Sequence, residues 1–225
     1  MPELRADGRA ERAEIVPPLR LAHPLRGRWT PRNSPADRVP SHGTERFATA
    51  LALDLVPVGA DARTGPFDAR ALLGTEPPER FPGFGRDVLA PCEGRVVKAH
   101  DGEVDHDAHR GLASLGYALT QGRRAAEGWS GLAGNHVVIA TEDPHRGQVF
   151  VALCHLQRGS IRVRTGDSVR TGDVLASCGN SGNSMEPHVH LQAMEGLDID
   201  RTAPVPFVLP CGMPRRGEIL EGAPD

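Results

Sequence analysis

The chain has 225 residues, enough to bury one sizeable core with a short appendage. Its formal net charge is −3 and, of 26 basic residues, only Lys98 is a lysine, so nothing in the balance argues for nucleic acid or an anionic membrane surface as a partner. No apolar run reaches membrane-spanning length, and the polar, charged start from Met1 to Glu14 does not read as a secretory signal; as read, the chain is soluble and unexported, with no transmembrane segment.

Taken in order, residues 1–22 read as a polar N-terminal arm, 23–210 as one β domain and 211–225 as a C-terminal tail. Prolines, Trp29 and scattered arginines over 21–45 indicate extended chain leading into the domain. The apolar run 47–56 predicts a buried strand. Glycine and proline then dominate 59–87, a surface excursion with a short helix over 68–73. Strand signals resume over 88–91 and 95–99, around a turn at Cys92-Glu93-Gly94. A second excursion, 100–134, carries a helix around 112–126. Three more strands follow over 136–141, 148–155 and 160–163.

Next comes a tandem pattern, Val163 to Asp167 and then Val169 to Asp173, each ending in Gly-Asp after a valine. Such units supply a short apolar contact and a tight turn. They also occur in lipoyl- and biotinyl-carrier hairpins, but those need a lysine at a hairpin tip, and Lys98 falls in a strand. With no alternation of helix and strand, the expected class is mainly β: an antiparallel β-sandwich with long loops and one or two short helices.

The chemistry concentrates in Pro187-His188-Val189-His190, just after Gly179-Asn180-Ser181-Gly182-Asn183-Ser184. On a strand, side chains alternate faces, so His188, His190 and Gln192 share one side while Val189, Leu191 and Ala193 enter a core. A wall of this kind suits a metal or acid/base site. Gln192 reads either as a group orienting a ligand ring or as a solvated polar residue. Ser181 and Ser184 lack the Gly-x-Ser-x-Gly elbow of a nucleophile and read as turn residues. There is no His-Glu-x-x-His helix.

Cys92, Cys154, Cys178 and Cys211 show no Cys-x-x-Cys spacing and read as small, mostly buried thiols. Cys154 and His155 are adjacent on an expected strand, so they should project to opposite faces and form no nucleophilic dyad. His100, His106 and His109 lie among Asp101, Asp105 and Asp107, read as a solvated loop in preference to an accessory metal site. His136 reads as structural.

Several pieces recur in a fixed order: Ala90-Pro91 through Gly94-Arg95-Val96-Val97, Gly134-Asn135-His136-Val137-Val138-Ile139, Cys154-His155-Leu156, the tandem Gly-Asp turns, Gly179-Asn180-Ser181-Gly182 and Pro187-His188-Val189-His190. This order resembles the lysostaphin-type zinc metallopeptidases, over residues 88–194 and more loosely back to about 42. The resemblance implies the duplicated hybrid motif fold and a Zn2+-dependent endopeptidase that hydrolyses short peptides, peptidoglycan cross-bridges or stem peptides above all, through a metal-activated water. It implies His190 as a metal ligand and His155 and His188 as the two histidines flanking the water. Its upstream ligand pair falls on His42 and Asp54, with Asp61 or His23 as fallbacks, although the family spaces that pair four residues apart and here twelve separate them. By the same resemblance the address is the cell envelope or outside. The alternative is an inactive relative that binds peptidoglycan or a partner protein as a regulator.

Overall fold

The computed structural model describes residues 16–119 and 128–223; the first part of the expected N-terminal arm and residues 120–126 of the expected helix lie outside them. Its centre is an eight-stranded sheet in the order β12 (Leu220–Glu221), β2 (Arg28–Arg32), β3 (Leu53–Pro57), β10 (Val189–Met194), β7 (Gly147–Leu156), β6 (Asn135–Asp143), β5 (Gly94–His100) and β8 (Ser168–Val169), antiparallel throughout. Two small sheets complete it: β4 (Asp87–Leu89) with β9 (Val174–Ser177), antiparallel, and β1 (Leu19–Arg20) with β11 (Phe207–Val208), parallel. Leu220–Glu221, from the stretch the sequence marks as a tail, thus forms an edge of the main sheet. Short helices stand at Ala69–Leu73, where the Asp68 carboxylate accepts from Ala71 N at 3.0 Å, and at Ala113–Leu119 and Trp129–Ala133.

Both faces of the central strands are covered, so β6 and β7 read as near-continuous apolar runs. Val137, Ile139, Val151 and Leu153 enter the larger core with Leu53, Leu55, Val189 and Leu191. Val138, Ala140, Ala152 and Cys154 face the other way, against Phe47, Trp129 and Met194. Each fully buried aliphatic side chain contributes about 1.5–3 kcal/mol. The tandem Gly-Asp units form matching turns: Asp167 accepts from Arg164 N at 2.8 Å and Asp173 from Arg170 N at 2.7 Å. Gly166 N then donates to Val96 O, and Gly172 N to Ala90 O, which pins both turns to the edge of the domain.

Two expected strands differ. Residues 160–163 form no ladder, holding only single bonds such as Arg162 N to Leu175 O at 2.8 Å. The run 47–56 divides: Arg46–Leu51 is a 3-10 segment with Phe47 and Ala48 at positive φ, and the strand begins at Leu53. An apolar run buries equally well as helix or strand, and hydropathy does not separate them.

His136 is structural, as expected. It is fully buried, with Trp129 edge-on at 4.5 Å and Nδ1 donating to Gly134 O at 2.7 Å. Burial pushes its pKa down to about 4, with Lys98 and His100 adding to the shift. An unfolded imidazole takes its proton near pH 6.5, so the stability carried by the neutral ring is complete above that pH and is lost as pH falls toward 4, on the order of 3 kcal/mol. In urea titrations His136→Leu should narrow the stability difference between neutral and mildly acidic buffer; an unchanged difference would remove His136 as its source.

Candidate metal centre

Sheet register places one row of side chains across four strands. Arg32 of β2 lies opposite Asp54 of β3, Asp54 opposite His190 of β10, and His190 opposite Cys154 of β7. Cross-strand partners share a face, so all four look onto the same side of the sheet. There Asp54 Oδ1 lies 2.9 Å from His190 Nδ1, 3.2 Å from His42 Nε2 and 3.5 Å from His188 Nε2. Its other oxygen accepts from Asn33 Nδ2 at 2.7 Å. One donor atom each from His42, Asp54 and His190 lies within 4.8 Å of the others.

The thirteen residues from His42 to Asp54 are closed into a loop by Ser41, which is fully buried. Ser41 N donates to Ala50 O, and its hydroxyl lies 3.0 Å from Thr49 O and 2.8 Å from Ala52 O. The same oxygen is 2.9 Å from His42 Nδ1. Because a hydroxyl has one proton and spends it on a carbonyl, it accepts from His42, leaving Nε2 as the basic nitrogen turned to Asp54. His190 is set by the same logic. Gln192 Nε2 donates to Phe47 O at 3.1 Å, so its Oε1 accepts from His190 Nε2 at 2.9 Å, and Nδ1 is the lone-pair nitrogen. The left-handed turn at Phe47 and Ala48 is what brings that carbonyl under the glutamine.

His155 reaches the site by a distortion. The β6–β7 register slips between Asn135 and Val137, and His155 has φ 63°. This bulge turns His155 onto the cleft side together with Cys154, so the expected opposition of the two fails. No dyad results: burial, with Asp54 adding, raises the Cys154 thiol far above its ordinary range. Burial likewise holds the His155 imidazole neutral, well below its usual pKa, and its Nδ1 lies 2.9 Å from Ser181 O.

The glycine-serine run is the mount for both flanking histidines. Ser181 Oγ accepts from Asn135 N at 3.0 Å and donates to Leu156 O at 2.8 Å. Ser184 Oγ sits 3.0 Å from His188 Nδ1, which also lies 2.8 Å from Glu186 O. Neither serine is free to act as a nucleophile. At Gly182, φ is +69° and a Cβ would stand 2.4 Å from Gly134 N, so the run crosses the start of β6 in backbone contact. His155 and His188 rings are 4.7 Å apart at their centroids.

Burial would raise the Asp54 carboxyl, but His42, His188 and His190 hold it well below the ordinary range. Burial lowers His190. At His188 burial pulls the pKa down, but the Asp54 carboxylate and Glu186 together raise it on balance. Two imidazoles and one carboxylate, each braced from behind by Ser41, Gln192 or Asn33, make a donor set suited to a divalent cation with an open position. The centre lies in a cleft of about 690 Å³, walled by Phe47, Trp129, Tyr117 and Met185 among others.

The fallback ligands are elsewhere. Asp61 is exposed beside Arg63, and His23 packs on Trp29 at 6.0 Å. The 100–109 stretch is solvated as expected at Asp101 and Asp107, both exposed, but its aspartates also hold the main chain: half-buried Asp105 accepts from Asn180 N at 2.7 Å and Arg158 N at 2.8 Å, and Asp101 from Gly159 N at 2.7 Å. His106 lies 3.0 Å from Gly182 O. The excursion therefore braces the same glycine-serine run. Three cysteines are buried, Cys211 is exposed, and all four are free. Asn33, Ser41 and Phe47 join the site without any motif of their own in the sequence.

Residues 81–201, more than half of the chain, match the sequence profile of Peptidase family M23. The chain belongs to this family. Lysostaphin of Staphylococcus simulans is 29% identical over 111 residues, 48% of this chain and 22% of that protein. Glycyl-glycine endopeptidase ALE-1 of Staphylococcus capitis is 30% identical over 98 residues, 42% of this chain and 26% of that protein. The alignments thus span about a quarter or less of these relatives. Among solved structures, the catalytic domain of lysostaphin from S. simulans superposes with TM-score 0.34 at 17% identity, covering 63% of this chain and 84% of that one.

Proposed function

We propose that this M23-family chain is a zinc-dependent endopeptidase that hydrolyses amide bonds in short peptides, with peptidoglycan cross-bridges or stem peptides as substrate. His42 Nε2, Asp54 Oδ1 and His190 Nδ1 would hold the ion. When bound, the zinc would supply Lewis-acid polarisation of the scissile carbonyl and lower the pKa of a nearby water. The observation that carries the reading is the convergence of these three donors, on separate segments, within 4.8 Å in a cleft that also receives two further histidines.

The chain's own residues supply the rest. His155 and His188, each with Nδ1 engaged by the glycine-serine run or Glu186 O, present Nε2 to the cleft as one proton acceptor and one donor for the developing oxyanion or leaving amine. The cleft walls orient the peptide and exclude bulk water. All five positions carry suitable side chains, so the binding-only alternative has no missing group in its favour. No described helix is long and apolar enough to cross a membrane, and with this substrate the place of action is the cell envelope or outside.

Digestion of purified sacculi by the zinc-loaded chain, with and without a chelator, tests this. Chelator-sensitive release of cell-wall peptides, identified by mass, is expected. A fully loaded protein that binds sacculi and releases nothing would establish the regulator reading instead.

Gln192 provides a finer test. Gln192→Leu removes the acceptor that fixes His190 and should weaken zinc binding by about 10–100-fold in competition with a chromophoric chelator. Gln192→Glu retains an acceptor and should recover most of the affinity; equal losses in both variants would show that Gln192 acts through packing alone.

A further inference from the structure

A second cavity, of about 600 Å³, opens beside the metal-centre cleft. Its lining includes Arg32, Arg63, Arg110 and Arg216, and no aspartate or glutamate. Arg32, Arg110 and Arg216 line both spaces, so the two meet at these guanidinium groups. In a chain of net charge −3, four arginines around one hollow concentrate positive charge locally.

The four are not equivalent. Arg110 is committed to the fold: its Nε and Nη2 each lie 2.8 Å from an oxygen of the wholly buried Glu76, and its guanidinium stacks 4.8 Å over Phe81. Arg63 stands near exposed Asp61. Among the described residues Arg32 has only a long side-chain ion contact, 3.8 Å, with Glu186, whose other oxygen already accepts from Thr64 Oγ1 at 2.7 Å. Arg216 uses its main-chain N on Asp37 at 2.9 Å, and among the described residues its guanidinium meets no carboxylate within ion-pair distance. Arg32 and Arg216 therefore have donors to offer a ligand.

Position says where that ligand sits. Arg32 is the cross-strand neighbour of Asp54, about 5 Å away between Cβ atoms. An anion held there lies within one or two residues of a peptide bond at the metal centre, since extended chain advances about 3.3 Å per residue. A planar guanidinium pair matches a carboxylate in bidentate fashion. Exposed Phe67 and Ile219 give the same cavity an apolar wall for the peptide body.

We propose that Arg32 and Arg216 form a carboxylate-recognising subsite next to the metal centre, so that this chain prefers acidic peptides, with a free carboxylate near the scissile bond, over neutral glycine chains. The inference rests on the endopeptidase reading for its biological meaning, but the subsite is testable without hydrolysis.

The probes are the γ-linked stem tetrapeptide L-Ala-D-Glu-L-Lys-D-Ala and the same peptide amidated at the D-Glu α-carboxylate. Binding to zinc-loaded protein is followed by calorimetry and cleavage of cross-linked versions by mass. The acidic form should bind about 10–100-fold more tightly than the amide, the range expected of charge-assisted hydrogen bonds. The double variant Arg32→Gln, Arg216→Gln should erase that preference while keeping zinc content, thermal midpoint and affinity for the amidated peptide.

Equal binding of the two peptides by the unmodified chain, or a preference that survives the double variant, overturns the subsite. Competition by inorganic phosphate as effective as the acidic peptide would mark an unselective anion site and overturn the carboxylate assignment. Preferential binding of the acidic peptide without cleavage keeps the subsite and sinks the peptidase reading; cleavage of both peptides at equal rates does the reverse.

Discussion

Asp54→Ala and His190→Ala are each expected to leave the purified protein nearly free of zinc, under roughly a tenth of an equivalent by elemental analysis, because a three-ligand site that loses one donor keeps too few to compete with water. Asp54 is the stronger case. It is the one anionic donor of the trio, and its carboxylate is the point to which His42, His188 and His190 all turn. Without it, two imidazoles face a dication with no anionic donor to balance its charge. A binding ligand also stabilises the fold it binds, in proportion to the logarithm of its concentration over Kd. Zinc added to the stripped, unmodified chain should therefore raise the unfolding temperature, and the same addition should leave Asp54→Ala unmoved. Full zinc content in Asp54→Ala would overturn the upstream assignment. His42→Ala should fall between, since His42 is the most exposed of the three and approaches from a loop.

The parts of this site legible in the sequence are those governed by strand alternation. His188, His190 and Gln192 fall on one face and Val189, Leu191 and Ala193 on the other because β10 is regular. Asp54 was reached through the family resemblance and not through alternation; the structure sets it in a short strand paired directly to β10. What spacing did not reveal depends on groups that leave no periodic trace. The His42 loop is closed by a hydroxyl on Ser41, and serines of that kind are indistinguishable in sequence from any turn serine. The 3-10 turn at Phe47 and Ala48 replaces an expected strand and sets a carbonyl against Gln192, a contact 145 residues distant in the chain. The bulge at His155 breaks the alternation rule on which the opposition of Cys154 and His155 was argued. In each case a long-range hydrogen bond or a left-handed residue overrides a local pattern, and these departures cluster around the chemistry.

His155 and His188 should behave in the opposite way to the ligands: their removal should keep zinc at or near one equivalent and cut peptide hydrolysis by about a hundred- to ten-thousand-fold, the usual range for a positioned proton-transfer group. The contrast follows from which nitrogen faces which atom. Neither ring belongs to the converging trio, and both are held from behind, His155 by Ser181 O and His188 by Glu186 O. His155 also sits at φ 63°, so alanine there is strained; His155→Asn is the cleaner variant, because asparagine tolerates the left-handed region and is too short to replace the imidazole. For His188, alanine suffices, since Val189 and His190 continue a regular strand. If the two rings serve one transition state, the double variant will be little slower than the worse single one, as expected of groups that act as a unit. Independent, multiplying losses would assign them to separate steps. Loss of zinc in His188→Ala would make it a ligand and would leave His155 to carry the proton transfer alone.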